Sequence, residues 1–130
     1  MNEKLSILSE LIKLSKIDKS NKEEEYSFIS MIAESLAVSK DQLDMLFSEY
    51  AEYAPPKLEI GRILQLQRLI LLANIDMEVD KTEKNLIFKA GIRLGLRPES
   101  IESVLIKMKD YPGGMIPENE LISIFKSYHN

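Results

Sequence analysis

Four carboxylates stand out by their spacing: Asp18 with Glu25, and 58 residues further on Asp76 with Glu83. Carboxylate oxygens are hard ligands of the kind that hold calcium, magnesium or manganese. Glu78 and Asp80 lie close enough to Asp76 in the chain to join such a set. Oxygen-only two-metal sites also carry phosphoryl chemistry, so a metal-dependent hydrolase using the same carboxylates stands as the alternative to simple cation binding. The loops do not follow the EF-hand pattern. Counting from Asp76, Glu78 and Asp80 take the third and fifth positions, but Lys81 stands where that loop needs glycine and Ile87 where it needs its bidentate glutamate. In the earlier loop Ser20 and Lys22 take the third and fifth positions. Carboxylates at helix starts are also favoured by capping and by the helix dipole, which accounts for Asp80 with Glu83. Glu25 has Lys22 three residues before it, so capping does not explain it. Lys22 and Lys81 offer these loops positive charge without a metal.

Other chemistries find no support in the residues. There is no cysteine, which excludes disulfides, thiolate nucleophiles and Cys-based zinc or iron–sulfur sites. The single histidine, His129, stands next to the last residue, and no histidine accompanies the helical serines Ser9, Ser15, Ser27 and Ser30, so a Ser-His-Asp arrangement is unavailable. Gly113-Gly114 after Pro112 reads as a turn and not as a phosphate cradle. The formal net charge of −4 argues against nucleic acid, whose binding depends on a basic surface. Met1-Asn2-Glu3-Lys4 lacks the start of a signal peptide, and the most apolar run, Leu69 to Ala73, is too short to span a bilayer. A cytoplasmic protein without membrane insertion is expected.

The elements that must position the carboxylates are helical throughout. Leu5, Leu8, Leu11, Ile12 and Ser15 follow three-four spacing and predict a helix over 3–16. Ser20 with Glu23, or Asn21 with Glu24, offers a capping box for a second helix running to about Leu36, with Phe28, Ile29, Ile32, Ala33 and Leu36 inward. Ser39 with Gln42 repeats the signal for a shorter third helix carrying Leu43, Leu46 and Phe47. Pro55-Pro56 breaks the chain, because proline denies a donor and pushes its predecessor toward extended backbone. A fourth helix follows from about Leu58, and a fifth starts at Asp80 and ends near Gly95. Pro98 opens a sixth and Pro117 a last one with Leu121, Ile124 and Phe125. Met31, Met45 and Met108 read as core filler. The fold class is all-α, with six to seven helices.

Sliding the chain on itself by 58 residues gives a match without gaps. Leu8, Leu11, Ile12 and Leu14 fall on Leu66, Leu69, Ile70 and Leu72, and Ile17-Asp18 falls on Ile75-Asp76. Glu25 falls on Glu83, Ile29 on Ile87, Leu36 on Leu94, and Ala37 on Gly95. Apolar matches alone arise between any two amphipathic helices; the polar pair held at one separation inside the same apolar frame is stronger. The expected organisation is a single domain over 1–130, made of two tandem three-helix repeats (3–50 and 58–110) with a proline-containing linker over 51–57 and a C-terminal helix over 116–130. The two copies are expected to share one core around a pseudo-twofold axis.

The run Ile75-Asp76-Met77-Glu78-Val79-Asp80-Lys81-Thr82-Glu83, after an apolar helix and before Ile92-Arg93-Leu94-Gly95-Leu96, resembles the TerB-like family of tellurite resistance. That family's pattern is Asp-Gly-Glu-Val followed shortly by Glu, with a Leu-Gly-Leu-like helix end. Ile17-Asp18 through Glu25, with Leu36-Ala37-Val38, resembles a more diverged copy, and the likeness covers roughly 3–110. The family's glycine after the aspartate is Lys19 in one copy and Met77 in the other. The resemblance implies an all-α domain with acidic residues gathered near the centre of one face. Members occur in stress-response systems and as modules of membrane-anchored J-domain co-chaperones, and cation binding and protein interaction are the roles proposed for them. No J-domain can accompany this copy within the chain, since its His-Pro-Asp motif is missing. The expectation is therefore a non-enzymatic interaction module with a protein partner, taking calcium, manganese or magnesium at Asp18, Glu25, Asp76 and Glu83, with Glu78 and Asp80 nearby.

Overall fold

Apolar residues at helical spacing organise the described residues into helices. The computed structural model describes residues 2–17, 22–75 and 81–127, and these form seven α-helices and no strand. No helix among them is long and apolar enough to cross a membrane. The described contacts fall into two units, Met1–Pro55 and Pro56–Asn130, dividing between the two adjacent prolines.

The first unit holds α1 (Asn2–Ile17), α2 (Lys22–Ser35) and α3 (Lys40–Ser48), each packed on the other two. Leu8, Leu11 and Ile12 of α1, Ile29 of α2 and Leu43 of α3 are all buried, forming the apolar face that drives the helices together. Burying each such side chain is worth about 1.5–3 kcal/mol. The α3 start is the expected capping box: Ser39 Oγ accepts from the Gln42 amide at 3.2 Å, and Gln42 Oε1 accepts from the Ser39 amide at 3.1 Å. Helix α2 ends in a Schellman turn, in which Val38 N donates to Ala33 O at 2.9 Å and Ala37 N to Glu34 O at 3.0 Å. Ala37 takes the left-handed φ of 59° that closes it, a conformation that costs an alanine about 1–2 kcal/mol. Beyond α3 the chain runs back along α1. The amides of Ala51 and Ala54 donate to the buried hydroxyls of Ser9 and Ser6, both at 2.9 Å, which gives this non-helical backbone the partners it needs.

The second unit holds α4 (Glu59–Ala73), α5 (Lys81–Arg93), α6 (Pro98–Lys107) and α7 (Glu118–Ser127), with 3-10 turns at Met108–Asp110 and Pro112–Gly114 between the last two. Helix α5 packs on α4 and α6, and α7 packs on both α4 and α6. Helix α5 ends in the same Schellman turn: Leu96 N donates to Gly91 O at 3.1 Å and Gly95 N to Ile92 O at 2.9 Å, with Gly95 at φ 82°. Gln67, 58 residues after Ser9, donates to the Ile116 carbonyl at 2.9 Å. In both units that position on the first helix holds backbone that follows the third.

Two expectations about the core need correction. Met31 and Met45 are 59% and 71% exposed, so they are not core filler; only Met108 is buried. Met31 lies two residues from both Ile29 and Ala33, so at about 100° per residue it faces away from their stripe. Phe28, Ile32 and Leu36 flank the same stripe and are half-buried, not buried.

Candidate functional site

Glu25 and Glu83 are the two members of the acidic set that the structure describes, and both are buried, at 1% and 8% exposure. Each lies in the first turn of the second helix of its unit. The cause is helical register. Glu25, Ile29 and Ala33 follow one another at four-residue spacing down the inner face of α2, and Glu83, Ile87 and Gly91 do the same down α5; all six are buried. A helix start in general presents backbone amides and the positive end of the helix dipole, a setting that favours a carboxylate. Asp18, Asp76, Glu78 and Asp80 lie outside the described residues, as does His129. Among the described residues no group of three or more metal-ligating side chains is assembled.

Lys22 Nζ donates to the Ser15 carbonyl near the end of α1, where exposed carbonyls and the negative end of the dipole attract an ammonium group. Lys16 Nζ likewise donates to the Phe47 carbonyl, at 2.8 Å. The Lys13 and Lys16 ammonium groups stand 5.1 and 4.8 Å from the centre of the Tyr50 ring, within cation–π range. Tyr50 is 39% exposed and Tyr53 half-buried.

Two polar clusters have altered acidities. Tyr26 donates to Asp44 Oδ1 at 2.8 Å and Lys40 stands 3.0 Å from Oδ2. The tyrosine hydroxyl first, then the lysine, holds the Asp44 carboxyl below its ordinary value, and Asp44 in turn holds Lys40 above its own. In the second unit Tyr111 donates its hydroxyl to Glu120 Oε2, and Lys107 Nζ lies 3.4 Å from Oε1. Tyr111, then Lys107, lowers the Glu120 carboxyl from its ordinary 4.5, and the same bond to Glu120 raises Tyr111 from its ordinary 10.0.

A stability window follows for this α7 anchor. The Glu120 contribution is complete above its ordinary 4.5 and is lost as pH falls through the lowered value. The Tyr111 contribution is complete below its ordinary 10.0 and is lost as pH rises through the raised one. Tyr111→Phe is therefore expected to lower the melting temperature between about pH 5 and about pH 9 and to converge on the wild type at both extremes. Thermal melts across that range check it; a constant difference at every pH would mean that the hydroxyl acts through packing alone.

The first unit also carries two surface clefts. One, of about 370 Å³, opens between α2 and α3 and is lined by Ser30, Ala33, Glu34, Val38, Lys40 and Leu43. The other, of about 310 Å³, lies between the start of α1 and residues 51–54. Neither was foreseen from the sequence, because clefts arise from how helices meet and not from the pattern along one of them. No family model matches the chain, and no curated protein or solved structure matches it.

Proposed function

We propose that the chain is a non-enzymatic, TerB-like interaction module whose acidic loops take a divalent cation. The observation that carries this reading is the placement of Glu25 and Glu83. Two acids 58 residues apart are both buried in the first turn of a second helix, each directly after a loop that carries an aspartate in the sequence. The matched Schellman turns at Ala37 and Gly95 and the matched tethers at Ser9 and Gln67 support the reading of the two units as copies. The pseudo-twofold, TerB-like arrangement of those copies belongs to the same proposal. So do a cytoplasmic location, a protein partner and no role for nucleic acid.

Calorimetric titration with calcium, manganese and magnesium tests the loops, beside an Asp76→Ala/Glu83→Gln variant whose glutamine keeps the buried side chain's shape. Saturable heat with one ion is expected, reduced at least about tenfold in affinity in the variant, as for loss of two oxygen ligands. No heat and no thermal shift with any ion would remove the cation and leave interaction alone. A manganese-supplemented screen of phosphomonoesters and phosphodiesters is expected to be blank; turnover there would overturn the non-enzymatic reading.

A further inference from the structure

The cleft between α2 and α3 lies at the position of a close helix contact in the second unit. In the second unit the corresponding helices meet at Gly91 and Ile101, and Ile101 Cδ1 lies only 2.6 Å from where a β-carbon on Gly91 would stand. The first unit has Ala33 and Leu43 at those two positions, 58 residues earlier. Ala33 carries a methyl where Gly91 has none, and the cleft beside it is lined by the apolar side chains of Ala33, Val38 and Leu43.

The cleft is lined by one carboxylate, Glu34, and one lysine, Lys40, and the two helices that form it are acidic as a whole. Helices α2 and α3 expose Glu23, Glu24, Glu34, Asp41 and Asp44 against Lys22 and Lys40. Both lysines are engaged within the unit, Lys22 with the Ser15 carbonyl and Lys40 with Asp44 at 3.0 Å. Glu34, on the cleft wall itself, is exposed and makes no ion pair with a described residue. The basic residues of the unit are gathered instead on α1, as Lys4, Lys13 and Lys16. A recess floored by small apolar side chains and walled by an available carboxylate fits an apolar side chain followed by a cation.

We infer that the α2–α3 cleft docks a lysine- or arginine-bearing amphipathic segment of a partner protein, one apolar side chain seated on Ala33, Val38 and Leu43 and a neighbouring cation paired with Glu34. Helix-in-groove recognition of this kind uses apolar contact for affinity and rim charge for steering and selectivity. The inference deepens the interaction reading and rests on it, but not on the cation.

The test uses the full chain, isotope-labelled, and two amphipathic probe peptides of about 14 residues, near the minimum for a helix. One alternates leucine with lysine in helical pattern, and the other carries glutamate in place of every lysine. The lysine peptide is expected to shift the amide signals of Ser30, Ala33, Glu34, Val38 and Leu43, more weakly as salt rises, and the glutamate peptide to leave them unchanged. Glu34→Lys is expected to weaken the lysine peptide about tenfold, and Glu102→Lys, the same change in net charge on exposed α6, by less than about twofold. Equal binding of both peptides, equal effects of the two reversals, shifts centred elsewhere, or no binding would each overturn the cleft assignment. Shifts centred on other residues would leave the interaction reading standing, and the calorimetric titration, run without peptide, reads the cation separately.

Discussion

Replacing Gly91 with alanine is expected to lower stability by about 1–3 kcal/mol, although helix propensity alone predicts a gain of about 1 kcal/mol from the same change. The reason lies across the α5–α6 contact. A β-carbon on Gly91 would stand 2.6 Å from Ile101 Cδ1, closer than real β-carbon contacts, and 3.0 Å from its Cγ1, at their tight limit. Ile101 is fully buried, so the clash cannot be relieved by swinging the side chain into solvent. Being β-branched it is also stiff at χ1, which leaves it few other rotamers. Helix α5 must then lift from α6, and part of the contact between them is lost. The first unit indicates the remedy: where α5 and α6 carry Gly91 and Ile101, α2 and α3 carry Ala33 and Leu43. The double variant Gly91→Ala/Ile101→Leu is expected to recover most of the loss, because leucine moves its branch one carbon further from the backbone. Urea denaturation of wild type, single and double variants measures both effects. A higher midpoint for Gly91→Ala alone would show that the helices do not approach each other this closely.

The same pairs show how much the sequence carries. Local chemistry is explicit in it: Ser39 with Gln42 caps α3, Pro98 opens α6, and Gly95 ends α5 with a positive φ. Ala37 is harder to read, since alanine carries no signal for a left-handed turn, yet its alignment with Gly95 points to the same geometry. Burial of Glu25 is legible in principle, since it shares the four-residue stripe of Ile29 and Ala33, but an acid at its recurring spacing from Asp18 reads more readily as a cation ligand. The buried serines Ser6 and Ser9 are different. Their partners are amides 48 and 42 residues away, and no local pattern announces a contact at that separation. The seat of α7 on α4 and α6 is likewise tertiary; the sequence shows an amphipathic helix but not the groove that receives it.

A pair of truncations separates what burial contributes from what periodicity alone suggests. Leu8 and Leu66, 58 residues apart, are both wholly inaccessible to solvent and sit at matching positions on the first helix of each unit. Leu8→Ala and Leu66→Ala are each expected to cost about 2–5 kcal/mol, the lost transfer free energy plus the cavity left where neighbours cannot collapse. Met31→Ala and Met45→Ala remove side chains of similar size, from positions 59% and 71% exposed, and are expected to change stability by less than about 0.5 kcal/mol. All four are large apolar residues within helices, so a reading from hydropathy alone gives them comparable weight. The structure instead sets a gap between the leucines and the methionines. Chemical denaturation of the four variants measures it directly. A loss above about 2 kcal/mol for either methionine would place that side chain against the core and contradict the helix orientation described for α2 or α3. A loss below about 1 kcal/mol for Leu8→Ala with a large one for Leu66→Ala would mean that the matching registers do not bury matching cores, and the case for two copies of one unit would fall with it.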